Sequence, residues 1–203
     1  MKPINTYASE LLRKLSKKDN YKGFDANQVF LSMQESPQLW YNVPLIFLKA
    51  KKADTIRSIL GLNKTAKYAA LADFLSPNLD YKLGPFLEDA YSAQVPTAIQ
   101  KIFKETDQRV SLLFNILEGS ALRLYPLPDD ENNTWVSSKG FREGGYILKD
   151  SLYRNFIKTG FIAYMATLQN DKVLKTDFSK SQQLIEAIKA TQIKYGSTTT
   201  ISE

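Results

Sequence analysis

Ile99-Gln100-Lys101-Ile102-Phe103-Lys104-Glu105-Thr106-Asp107-Gln108-Arg109-Val110-Ser111-Leu112-Leu113-Phe114-Asn115-Ile116-Leu117 decides the fold class. Ile99, Phe103, Thr106, Val110, Leu113 and Leu117 recur at steps of three or four, the period that lines one face of an α-helix. The spacing predicts a long helix ending near Gly119, with Val110 to Leu117 apolar nearly all round and the most enclosed segment of the chain.

Outward from it the same period recurs. Tyr7, Ala8, Leu11, Leu12 and Leu15 form a stripe, with Arg13, Lys14, Lys17 and Lys18 at its basic C-terminal end. Asp25-Ala26-Asn27-Gln28 has the spacing of a capping box and opens a short helix through Val29, Phe30 and Met33 before Pro37. Asp54 is placed to cap a helix with Ile56, Ile59 and Leu60 inward and Gly61 past its end. A further helix fits Ala66 to Leu75. Gly84-Pro85 restarts helix, and Pro96 is read as repeating that device.

Val43 to Lys49 reads as a strand, with Pro44 at its edge. Leu122 to Tyr125 alternates like a strand stopped by Pro126 and Pro128, Asp129 to Asn133 reads as an exposed turn, and Trp135-Val136 as a second strand. Gly140, Gly144 and Gly145 mark a loop. From Leu152 a stripe through Phe156, Ile157, Gly160, Phe161, Tyr164 and Leu168 returns to helix. Ser179 and Gln182 form a second capping box, opening a last helix with Leu184, Ile185, Ile188 and Tyr195 inward and Gly196 as its stop. The fold expected is mainly α, a multi-helix globular domain with a small β element near the middle. Residues 1–196 are read as one soluble domain, divisible into subdomains of about 1–120 and 121–196, with a polar tail over 197–203.

The 203 residues include no histidine and no cysteine. That excludes an imidazole base, a thiol nucleophile, disulfides and every metal or haem site built on those side chains. Glycine-rich phosphate loops, Gly-x-Ser-x-Gly and Ser-x-x-Lys are absent. Glu88, Asp89 and Asp107 are the carboxylates considered for acid catalysis, but adjacent helical residues diverge. Asp129, Asp130 and Glu131 lack the alternation of a calcium loop and read as a solvated turn. No catalytic, cofactor-binding or metal-binding residue is assigned, and the chain is expected not to be an enzyme by itself. The net charge of +6 favours an anionic surface such as membrane headgroups, an acidic partner or nucleic acid. Lys49, Lys51 and Lys52 cluster without interleaved aromatics, so no nucleic-acid partner is expected. No stretch approaches the roughly 20 apolar residues that span a bilayer.

Phe24 to Met33 followed by Pro37 and Trp40, Asp107-Gln108-Arg109-Val110 with Asn115, Gly119 to Leu124, Tyr125-Pro126-Leu127-Pro128-Asp129, Asn132-Asn133, Trp135-Val136-Ser137 and Tyr195-Gly196 together resemble a known family. It is the extracytoplasmic soluble domain of Bacteroidetes-type fused system II cytochrome c biogenesis proteins, and the likeness runs from about residue 20 to 196. The resemblance implies a domain on the periplasmic side of the inner membrane, within an integral membrane protein that attaches haem to apocytochrome c. Haem would be handled by the parent complex, whose ligands have no matching position here, so no cofactor is expected in this domain. Its partners would be apocytochrome c, which it holds or positions, and the transmembrane part of the same protein, with the membrane reached only through flanking segments. Trp40, Tyr125 and Trp135 are the expected partner contacts. The alternative reading is a helical protein–protein interaction adaptor unrelated to haem.

Overall fold

Asp25 accepts a hydrogen bond from the Gln28 backbone N–H while the Gln28 side chain accepts from the Asp25 N–H, so the expected capping box starts a helix where the sequence places it. The computed structural model describes residues 4–196 and is mainly α; the tail at 197–203 lies outside the described residues. The helices are α1 (Ile4–Ser16), α2 (Ala26–Glu35), α3 (Pro37–Trp40), α4 (Asp54–Leu60), α5 (Gly84–Ser92), α6 (Ala98–Leu117), α7 (Ser138–Glu143), α8 (Ser151–Leu174) and α9 (Ser179–Tyr195). Three antiparallel two-residue ladders join β1 (Asn20–Tyr21) to β2 (Phe24–Asp25), β3 (Ile46–Phe47) to β4 (Tyr68–Ala69), and β5 (Tyr125–Pro126) to β6 (Trp135–Val136). The chain divides between Leu117 and Glu118 into two compact units.

In the first unit Ala8, Leu11, Leu12 and Leu15 of α1 are buried, as are Val29, Phe30 and Met33 of α2, and the Tyr7 ring meets Phe30 edge-on at 5.8 Å. The long helix α6 buries Ile102, Phe103, Thr106, Val110, Leu113, Ile116 and Leu117. Its last turns are enclosed on one side only: Phe114 is 44% exposed, so the expectation of all-round burial for Val110 to Leu117 is corrected. Pro96 does not repeat the Gly84-Pro85 device. Instead Thr97 caps α6, its hydroxyl accepting from the Gln100 N–H and the Gln100 side chain accepting from the Thr97 N–H.

The helix expected over Ala66 to Leu75 is replaced by β4 and a 3-10 turn at Ala72–Phe74. The Lys67 and Ala69 carbonyls accept from the Leu48 and Leu45 N–H groups across the ladder, and Asp73 accepts from the Ala70 N–H, which takes the backbone groups a helix would need. The strand expected over Val43 to Lys49 shrinks to β3, leaving Pro44 outside it. Asp54 is not the cap of α4: Ala53 holds that place, and the Asp54 carboxylate pairs with Arg57 at 3.0 Å. Gly61 does close α4, in the left-handed conformation with φ 73°.

In the second unit the strand expected over Leu122 to Tyr125 shrinks to β5, of which Pro126 is the last residue, opposite Trp135, and the Leu127 N–H continues the pairing to the Thr134 carbonyl. Gly140 falls within α7, not in a loop, because the Ser137 hydroxyl accepts from its N–H at 2.9 Å. Ser179 is the first residue of α9 rather than its cap. The Asp177 and Asp171 carboxylates accept from the Ser179 and Ser181 N–H groups, and Ile185, expected inward, is 40% exposed. Tyr125, Leu127, Val136, Phe141, Tyr153, Ile157 and Ile188 form the core of this unit.

Leu113 is fully buried, so Leu113→Ala is expected to cost about 2–5 kcal/mol. Loss of the α2 cap in Asp25→Ala is expected to cost about 1 kcal/mol. Urea unfolding midpoints of the two variants against the parent chain check both.

Candidate functional site

Asp150 begins α8 as its cap, accepting the Tyr153 N–H on one carboxylate oxygen at 3.0 Å and the Tyr195 hydroxyl on the other at 2.7 Å. The Tyr195 ring, from the last turn of α9, stacks on Tyr153 with centroids 4.1 Å apart. The Tyr153 hydroxyl in turn donates to the Pro126 carbonyl at 2.8 Å, so one set of contacts ties α8, α9 and β5. These contacts fix the ends of the two helices around an open groove of about 370 Å³ lined by Leu152, Tyr153, Phe156, Ala187, Ala190, Thr191 and Lys194. Ala187 and Ala190 on α9 leave the room, and Leu152 stands on the rim at 81% exposure.

The electrostatics follow from the same contacts. The Tyr153 N–H first and the Tyr195 hydroxyl second hold the Asp150 carboxyl below its ordinary range. Lys194 lies 4.6 Å from the Tyr195 ring centroid, and its ammonium is pushed up by that side chain. Burial raises the Tyr153 hydroxyl, so it remains a neutral donor. The groove offers apolar contact with a polar margin. Among the described residues no group of three acids could hold a metal ion, and no helix is long and apolar enough to cross a membrane.

The three aromatic side chains expected to contact a partner are divided between the two units. Trp40 belongs to the first unit and is 8% exposed, its indole N–H donating to the Ser32 hydroxyl at 3.1 Å and its ring 5.9 Å from Tyr21. Tyr125 is fully enclosed in the second unit, edge-on to Phe156. Burial pushes its hydroxyl up to about 12, drawn back in part by the nearby Phe161 backbone and Ser138 hydroxyl, neither of which completes a hydrogen bond. Gly160 makes space for it: a Cβ there would lie 3.0 Å from the Tyr125 oxygen. Both are core residues of their own units, so neither offers a surface. Trp135 alone of the three is half-exposed, with its indole N–H donating to Asn133 at 3.2 Å.

Asp107 is no free acid. It accepts from the Tyr81 hydroxyl at 2.9 Å and the Tyr91 hydroxyl at 2.8 Å, tying the middle of α6 to the last turn of α5 and to the segment before α5. Burial first, then the Asp107 charge, raises Tyr81, while Tyr91 is pushed up to about 12. The Asp150–Tyr195 contact escaped the sequence reading because its members lie 45 positions apart. A capping Asp three residues before Tyr153 was the one local signal for it.

The fold and groove together describe a mainly α domain with an apolar groove, polar at its margin, between two of its helices. The chain matches no protein-family model. It is similar to Protein NrfI of Wolinella succinogenes, 29% identical over 207 residues, an alignment that covers the whole of this chain and 21% of that protein. The chain thus spans about a fifth of the length of the curated relative it matches.

Asp150 and Asp171 are both held below the ordinary carboxyl value of 3.8, Asp171 chiefly by the Thr176 hydroxyl and then by Ser181. A lowered folded-state pKa adds stability that is present above the unfolded value and is lost as pH falls through the folded one. The second unit is therefore expected to weaken as pH drops below about 4, with a shallower dependence in Asp150→Asn and Asp171→Asn. Thermal unfolding followed at a series of acid pH values checks this.

Proposed function

We propose that this chain is a domain of a cytochrome c maturation protein and that it holds or positions apocytochrome c while haem is attached elsewhere in the parent protein. The observation that carries the reading is the likeness to Protein NrfI over the whole length of the chain, which supports a role in cytochrome c maturation. The resemblance read from Phe24–Met33, Asp107–Val110 and Tyr125–Ser137 supports the same pathway. The finer reading is a periplasmic domain of an integral membrane protein of the fused system II type.

The chemistry of the chain suits a supporting role. Without histidine or cysteine it supplies no imidazole or thiolate ligand to haem iron, and it brings no thiol that could exchange with the cysteine pair of an apocytochrome. Holding an extended chain needs apolar contact with a few fixed polar groups at the edge. The α8–α9 groove has that composition: Phe156 and the two alanines line it, Leu152 stands on its rim, and Asp150, Thr191 and Lys194 supply the polar margin.

Ala190→Trp would fill the groove from an exposed position of α9. In the intact membrane protein, a photo-cross-linker at Leu152 is expected to capture reduced apocytochrome c, and Ala190→Trp to lower capture and holocytochrome yield at least tenfold with protein level unchanged. Capture that ignores the substitution would remove the groove from the reading. Capture of a protein unrelated to haem in its place would support an adaptor.

A further inference from the structure

The charge of the chain is unevenly placed. Of its 27 basic and 21 acidic residues, 16 and 11 lie in residues 1–117, so almost all of the positive excess belongs to the first unit. Part of it collects at the C-terminal end of α1, where two adjoining open depressions share Lys14 and Lys17. The larger, about 380 Å³, is lined by Lys14, Lys17, Glu105, Gln108, Arg109 and Leu112; the smaller, about 320 Å³, adds Arg13 and Asp19.

The two carboxylates present are already engaged. Asp19 is paired with Arg13, and Glu105 lies 3.6 Å from Arg109. Arg109 is only 12% exposed at its side chain and donates from Nε to the Lys14 carbonyl at 3.2 Å, which fixes a guanidinium in the wall of the depression. Lys14 and Lys17 are exposed beside it. The helix dipole accounts for lysines near the end of α1, but not for a hollow that sets them against a fixed guanidinium from α6.

We propose that this basic hollow docks the phosphate headgroups of an anionic lipid bilayer. The held guanidinium and two exposed ammonium groups outnumber the one carboxylate of the larger hollow, a net positive lining that suits phosphate oxygens, and an open hollow suits groups presented by a plane. Single-stranded nucleic acid would call for aromatic faces on which bases stack, and the lining contains none. The choice of lipid rests on the reading of this chain as a domain of a membrane protein.

Flotation of this 203-residue chain with vesicles of phosphatidylcholine, with and without phosphatidylglycerol, tests it at low salt. Binding is expected only with phosphatidylglycerol, and to fall with added salt. Each neutralised lysine should cost about fivefold, so Lys14→Gln with Lys17→Gln should lower binding more than tenfold, with the helical circular dichroism retained. Lys51→Gln with Lys52→Gln, on exposed lysines outside the hollow, is the control and should change little. No binding to the anionic vesicles, equal losses in the two pairs of variants, or displacement of vesicles by single-stranded DNA would overturn the proposal. Failure here with apocytochrome capture at Leu152 intact would leave the maturation reading standing, and the reverse pattern would leave this one.

Discussion

The first unit depends on a buried positive charge. Arg57 is 2% exposed, and its guanidinium donates to the carbonyls of Ala66 at 2.7 Å, Ala50 at 2.6 Å and Leu48 at 3.1 Å, with Asp54 as its counter-ion at 3.0 Å. A buried charge without such partners would cost about 3–5 kcal/mol. Here the cost of burial is met by main-chain oxygens on both sides of the β3–β4 ladder. One side chain therefore holds a ladder of two residues per strand, too short to be stable alone, against α4.

The second unit is organised by a smaller version of the same device. The Asp150 carboxylate serves the first turn of α8 and the last turn of α9 at once. Asp171 does likewise at the other end of that pair, accepting from Thr176 and from the Ser181 N–H while 4% exposed. Two carboxylates, each shared between an end of α8 and an end of α9, set the spacing of the pair. The alanines of α9 then determine that the space between becomes a groove.

The helical half of this architecture was legible because it repeats locally. Leu11, Leu12 and Leu15, or Val110, Leu113 and Leu117, announce a buried face by spacing alone, and Asp25 with Gln28 announces a helix start. Ala66 to Leu75 misled because Lys67, Tyr68 and Ala69 are compatible with either state and are decided by a partner strand more than twenty positions earlier. Arg57 reads as the polar face of α4 until Leu48, Ala50 and Ala66 converge on it. The site was legible in composition only. Trp40 and Tyr125, expected to meet a partner, are used by the fold as core, whereas the groove is shaped by two alanines and a capping aspartate that carry no chemical signal of their own.

Three pairs of helices consecutive in sequence pack on one another: α1 with α2, α5 with α6, α8 with α9. Contacts of that kind close short loops, and topologies built on them fold in microseconds to milliseconds. Polypeptide synthesis adds residues at about 5–20 per second, far slower. Each helical pair can therefore close soon after its second helix emerges, while α1 and α2 gain their further contacts only when α6 follows. A nascent first unit of this design covers part of its apolar stripes early and the rest when α6 arrives.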